Sequence, residues 1–324
     1  MSTPVHVYYP NFGLRNADHS KAIILHHGHY FESLYLSMSR LGAAVSGGHS
    51  YPKTLEVMEK ANGAFVDFIW STVGDSGQMG SDVSLAYQYL LSGGAAAYFQ
   101  RRIAALLTTT MLSKMPLPQV GPVRDTLQDI NTGIVDYVAG SFGQLARFSY
   151  QTSLTYDTAG GIADYMNGPT VAQFKQEQMD EPPNDMSLIF GHTHKPFEDR
   201  LALDAYPNAV GVVNTGGWVL DTTLLATVEG ASAVFIDDDL NVGVLKLFAP
   251  PANGETIPVS VSGFDGPGTE NPMVDKLKSA LAATQEQWDK VAEVAAETYT
   301  AKQTHIIKLL EAADAEARRK EALL

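Results

Sequence analysis

The sequence predicts an α/β fold, and three observations carry that expectation. Several short apolar runs end abruptly in glycine, histidine or asparagine, as buried strands do where the backbone must turn. A long central region instead repeats its apolar residues at spacings of three and four, which marks amphipathic helices. The last fifty residues form one more such stripe, charged on its other side.

The first extended segments are expected at residues 5–9, closed by Pro10-Asn11-Phe12-Gly13, and at residues 21–25. The second runs into His26-His27-Gly28-His29. From about residue 30 to 178 the pattern is helical. Leu55, Met58, Phe65, Val66 and Ile69 form one stripe, Phe99, Ile103, Leu106 and Leu107 another. Val123, Leu127, Ile130, Ile134, Tyr137 and Val138 form the clearest, with Pro122 placed for a first helical turn. Gly93-Gly94 and Pro116-Leu117-Pro118 break the pattern, so three or four helices are expected between two strands of one sheet.

The chain returns to the sheet through the polar segment 180–185. Leu188-Ile189-Phe190 then makes a short strand, ended by Gly191, and Pro196 prevents an immediate helix. Between them lie His192 and His194, whose i, i+2 spacing puts both imidazoles on one face of an extended segment. A further extended stretch is expected over 197–203, and strands at 210–213 and 218–220 flank Asn214-Thr215-Gly216-Gly217. Residues 233–236 and 242–248 read as a hairpin, with Asp237-Asp238-Asp239 as an Asx-rich turn rather than a cation site. Residues 251–271, dense in proline and glycine, read as a linker. One long helix is expected from Asn271-Pro272 to the C-terminus, its apolar side built from Leu277, Leu281, Trp288, Val291, Ala295, Ile306, Leu309 and Leu310.

Five of the nine histidines thus fall in two clusters, each directly after a strand, and a third strand ends in Asn214. Ligand sites in open α/β sheets gather at the carboxyl ends of strands. With no cysteine in the chain, His, Asp, Glu and Asn are the only coordinating set.

These motifs resemble those of the calcineurin-like metallophosphoesterases. Gly191-His192-Thr193-His194 is similar to the family's closing Gly-His-x-His block, His27-Gly28 to the His-Gly block before it, and Asn214-Thr215-Gly216-Gly217-Trp218 to the Asn-Thr-Gly-Ser-Trp-like turn after it. The resemblance implies the C-terminal part of an αββα sandwich, with residues 1–50 and 181–250 as its partial sheet and residues 51–180 as a helical cap insertion. Residues 251–271 would be the linker and 272–324 the C-terminal helix. It implies a divalent-metal phosphoric ester hydrolase using Mn, Zn or Fe, two ions in a complete site. His27 and His192 would hold one ion and His194 the other, with His29 and Asn214 near the phosphate-ester substrate. The family's Asp-x-His, Gly-Asp-x-x-Asp and Gly-Asn-His-Asp/Glu blocks do not occur in this chain. Two readings therefore stand: a metallophosphoesterase, or an N-terminally truncated fragment of one, and a catalytically inactive descendant that binds partners.

A net charge of −14 argues against nucleic acid, whose phosphates are held chiefly by lysine and arginine. No run reaches the roughly 18–20 apolar residues of a membrane span, and the N-terminus lacks a signal peptide's pattern. A cytoplasmic protein is expected, and the terminal helix offers a route to a homo-oligomer.

Overall fold

The computed structural model describes residues 6–36, 38–40, 51–74, 152–177, 181–220, 222, 224–263 and 270–321. It is mixed α/β. Strands β1 (Asn11–Arg15), β2 (Lys21–His26), β3 (Asp185–Phe190), β4 (Phe197–Leu201) and β5 (Val210–Asn214) form a five-stranded sheet in the order β1-β2-β3-β5-β4. The three central strands are parallel; β1 and β4 close the two edges antiparallel. A second, antiparallel sheet contains β6 (Ala231–Ile236), β7 (Val242–Phe248) and β8 (Ser260–Ser262).

Neighbouring side chains on each central strand face opposite layers, so the parallel trio is apolar on both sides. Ala22, Ile24, Met186, Leu188 and Val212 pack under helices α1 (Leu55–Gly74), α2 (Tyr156–Tyr165) and α3 (Val171–Gln176), against Met58, Ile162, Tyr165 and Phe174. Ile23, Ile189 and Val213 point the other way and meet Val242 and Val244 of the second sheet. The outer face of that sheet, through Leu245 and Leu247, is covered by α4 (Pro272–Ala283) and α5 (Gln285–Glu321), using Leu281, Trp288 and Ala292. The layer order is helix, sheet, sheet, helix. The stripes expected at Phe99–Leu107 and Val123–Val138 lie outside the described residues.

Four local expectations are corrected. Residues 6–9 are not a strand; β1 begins at Asn11. The tight turn after β1 sets this register: Asn16 Oδ1 accepts from the Lys21 N–H at 2.9 Å, and Asp18 Oδ1 from the Ser20 N–H at 3.0 Å. Residues 11–15 therefore lie opposite β2. Residues 218–220 are not a strand either, because Trp218 adopts φ 52°, a left-handed conformation that ends extension. The Pro/Gly-rich stretch contains β8, held by pairing to β7 and by Ser262 Oγ, 2.9 Å from Glu198 Oε1. The terminal helix is two helices, broken at Thr284 (φ −129°, ψ 24°). Along the second helix Ala295, Ile306 and Leu310 are buried as expected, but Val291 and Leu309 are exposed, while Ala292, Ala296 and Tyr299 also face inward.

The hairpin at 237–241 is the expected Asx turn. Asp237 Oδ1 accepts from the N–H groups of Asp239 (3.1 Å) and Asn241 (2.8 Å). No helix among the described residues is long and apolar enough to cross a membrane.

Candidate functional site

The parallel trio brings three distant stretches of chain to one edge, because parallel strands end on the same side. His27 and His29 follow β2, His192 and His194 follow β3, and Asn214 is the last residue of β5.

Gly28 makes the first two loops meet. Its φ of 109° is a left-handed value that suits glycine. A Cβ there would stand 2.7 Å from Phe190 Cδ2 and 2.8 Å from His192 Cβ. The Gly191 N–H also donates to the His27 carbonyl at 3.3 Å. The rings of His27 and His192 are consequently 4.8 Å apart, centre to centre, crossing at 67°.

Each imidazole of the cluster is differently engaged. His26 Nδ1 accepts from the Gly28 N–H at 2.7 Å, so its proton sits on Nε2, and its ring packs on Phe31 and Tyr165. That tautomer has no lone pair free for a metal; His26 is structural. His27 is exposed, and its Nδ1 lies 3.2 Å from His29 Nδ1, a contact in which one nitrogen must carry the proton. His192 is buried, with Nε2 2.8 Å from Glu32 Oε2 and its ring against Tyr35.

His194 has a different setting. It adopts φ 60° and rests on the backbone of Gly217, where a Cβ would be 2.2 Å from His194 Cγ. Of the three expected metal ligands, the structure thus juxtaposes His27 and His192, and seats His194 against the turn after β5. Asn214 is fully buried; its amide donates to Thr193 Oγ1 and accepts from the Gly216 N–H at 2.9 Å. Its side chain ties the second loop to the third.

Glu32 was missed in the sequence. It is 2 % exposed and lies where a carboxylate can orient the His192 ring. Glu32 is the extended junction (φ −111°, ψ 137°) between two short helical turns, His29–Phe31 and Ser33–Leu36, and no spacing in the sequence announces its partner.

Electrostatics favour the neutral forms of His26, His27 and His29. Partial desolvation at the loop, then the neighbouring His192, lowers His27 to about 4, with Glu32 opposing. Burial, then His27 and His192, lowers His29 to about 3. Burial holds His26 well below the ordinary histidine range. Neutral imidazole is the form that binds metal, so donor chemistry fits a metal site. Their arrangement does not complete one: among the described residues, no three His, Asp or Glu side chains are placed to hold an ion together.

A cleft of about 390 Å³ opens beside His27. Its lining includes His27, Gly191, Thr215, Tyr8, Tyr9 and Phe12. No family model, curated protein or solved structure matches the chain.

Proposed function

We propose that the chain carries the histidine part of a calcineurin-like metallophosphoesterase centre and serves the hydrolysis of a phosphoric ester. The observation that carries this reading is the 4.8 Å approach of His27 and His192 from two neighbouring parallel strands. The motif order supports it as well: His-Gly after β2, Gly-His-x-His after β3, Asn-Thr-Gly-Gly after β5. In this reading His27 and His192 hold one Mn, Zn or Fe ion and His194 faces a second. His29 lies near the ester. Such an ion, if bound there, would supply Lewis acidity toward the phosphoryl group. Glu32 orients the His192 imidazole, and Asn214 fixes the loops that present His192 and His194. The described donors do not close a coordination shell, so no reaction step is assigned to single residues.

A catalytically inactive descendant is the second reading. It rests on the sequence, which holds none of the family's three carboxylate-bearing blocks. Titration with Mn²⁺ and Zn²⁺, beside hydrolysis of an aryl phosphate ester, separates the two. The expected result is metal binding and turnover that are both lost in His192→Ala while the far-UV circular dichroism is unchanged. Equal metal content in wild type and His192→Ala would sink the site. Metal binding with no turnover selects the inactive descendant.

A further inference from the structure

We propose that the cleft beside His27 receives a planar, uncharged aromatic ring. Only the identity of what the ring is attached to, a phosphate at His27, rests on the phosphoesterase reading.

Exposure is the first observation. Tyr8, Tyr9 and Phe12 are 62 %, 63 % and 38 % exposed, three large rings within five positions. Scattered single hydrophobics are ordinary on a protein surface, but a cluster rimming a cavity calls for an occupant. The rings are also held. Tyr8 and Phe12 lie 4.8 Å apart at 49°. Tyr9 stacks on His29 at 6.2 Å and 14°, with its hydroxyl 3.5 Å from His29 Nε2. Aromatic walls fixed in this way present faces and edges to which another ring adds by offset stacking or edge-to-face contact.

Size and polarity narrow the class. About 390 Å³ lies at the small end of ligand cavities, room for one or two fused rings. Among the described residues no Lys, Arg, Asp or Glu lines the cleft, so these offer no cation for a second or third phosphate and no carboxylate for sugar hydroxyls. Asn11, which also lines it, has its amide engaged. Its Nδ2 donates to Tyr165 Oη (3.0 Å) and Gln173 Oε1 (2.9 Å), and its Oδ1 accepts from Gln173 Nε2 (3.1 Å). His26, whose Nδ1 is taken by the Gly28 N–H, Thr215 and His27 are the further polar side chains of the lining. A monoester of an aromatic alcohol matches this division, ring between the tyrosines and ester toward His27.

The binding test uses the whole 324-residue chain without added metal, and phenol and cyclohexanol as probes in ligand-observed NMR. Phenol is expected to bind several-fold tighter than its saturated counterpart. Tyr8→Ala should weaken phenol about three- to tenfold, the effect of losing one aromatic contact, and Tyr8→Trp should restore it. Tyr8 is exposed, so neither change threatens the fold. Equal binding of the two probes, or phenol binding untouched by both Tyr8→Ala and Phe12→Ala, would overturn the proposal. Because phenol carries no phosphate, phenol binding with no hydrolysis of phenyl phosphate once Mn²⁺ or Zn²⁺ is supplied leaves the cleft standing and removes the phosphoesterase reading. Hydrolysis without phenol binding does the reverse.

Discussion

At Gly28 one added carbon decides whether two loops can touch. A methyl group there meets Phe190 and His192 within 3 Å while the backbone sits at φ 109°. Gly28→Ala is expected to cost about 1–3 kcal/mol from the backbone strain alone. It should also push His27 away from His192. Chemical denaturation checks the first effect. The second predicts a larger loss of Zn²⁺ affinity than of stability, and an unchanged affinity would deny Gly28 that spacing role. Glu32 and Gly28 illustrate different kinds of legibility. Gly28 stands in a His-Gly pair directly after an apolar run, so its place in a tight turn at a strand end could be read directly. Glu32 had no such neighbourhood: a glutamate in a region of helical pattern reads as solvated surface, and only the fold around it buries it against His192. His26 was ambiguous for the same reason, since its hydrogen bond from Gly28, which settles its tautomer, exists only in three dimensions.

Among the elements, legibility followed boundaries. The strands of the parallel trio were visible because each is an apolar run stopped by glycine, histidine or asparagine, and the hairpin at 237–241 because aspartates mark its turn. Residues 6–9 misled because alternating apolar residues suggest a half-buried strand whether or not a partner covers them; here they rim a cleft. β8 was hidden by the prolines and glycines on both sides of a three-residue pairing. The break at Thr284 left no proline or glycine to announce it. α4, by contrast, starts where Asn271-Pro272 said it would, and its first turn gives a sharp prediction. Asn271 Oδ1 accepts from the N–H groups of Met273 (3.1 Å) and Val274 (3.2 Å), and its Nδ2 donates to the Val242 carbonyl at 2.9 Å. One side chain therefore caps the helix and fastens it to β7. Asn271→Ala should destabilise the protein by about 1–2 kcal/mol, more than an exposed cap and with no change in metal binding. Asn271→Asp should recover part of this, since it keeps the cap acceptor and loses only the donor. A urea midpoint that does not move in Asn271→Ala would contradict both roles.

For the whole molecule, the histidine cluster predicts how stability depends on pH. His26, His27 and His29 all have folded-state values below the ordinary 6.5, with His27 near 4 and His29 near 3. Between those values and 6.5 the unfolded chain binds more protons than the folded one, so stability rises with pH across that interval and falls as acid is added. The urea midpoint should therefore drop steadily from pH 6.5 toward pH 3–4. His29→Asn should flatten the slope, which separates this effect from the titration of the many carboxylates. A slope identical in the two proteins would place the acid sensitivity elsewhere.

The pairing of β2 with β3 joins residues such as Ile24 and Leu188, adjacent in the sheet and remote along the polypeptide. Entropy must be surrendered to close that large loop before the ladder rewards it, so this contact forms late compared with any hairpin. The imidazoles accordingly have no meeting place in an incomplete nascent chain. A ribosome that has released β2 but not yet β3 and β5 presents only the first half of the histidine cluster, with nothing yet for it to meet.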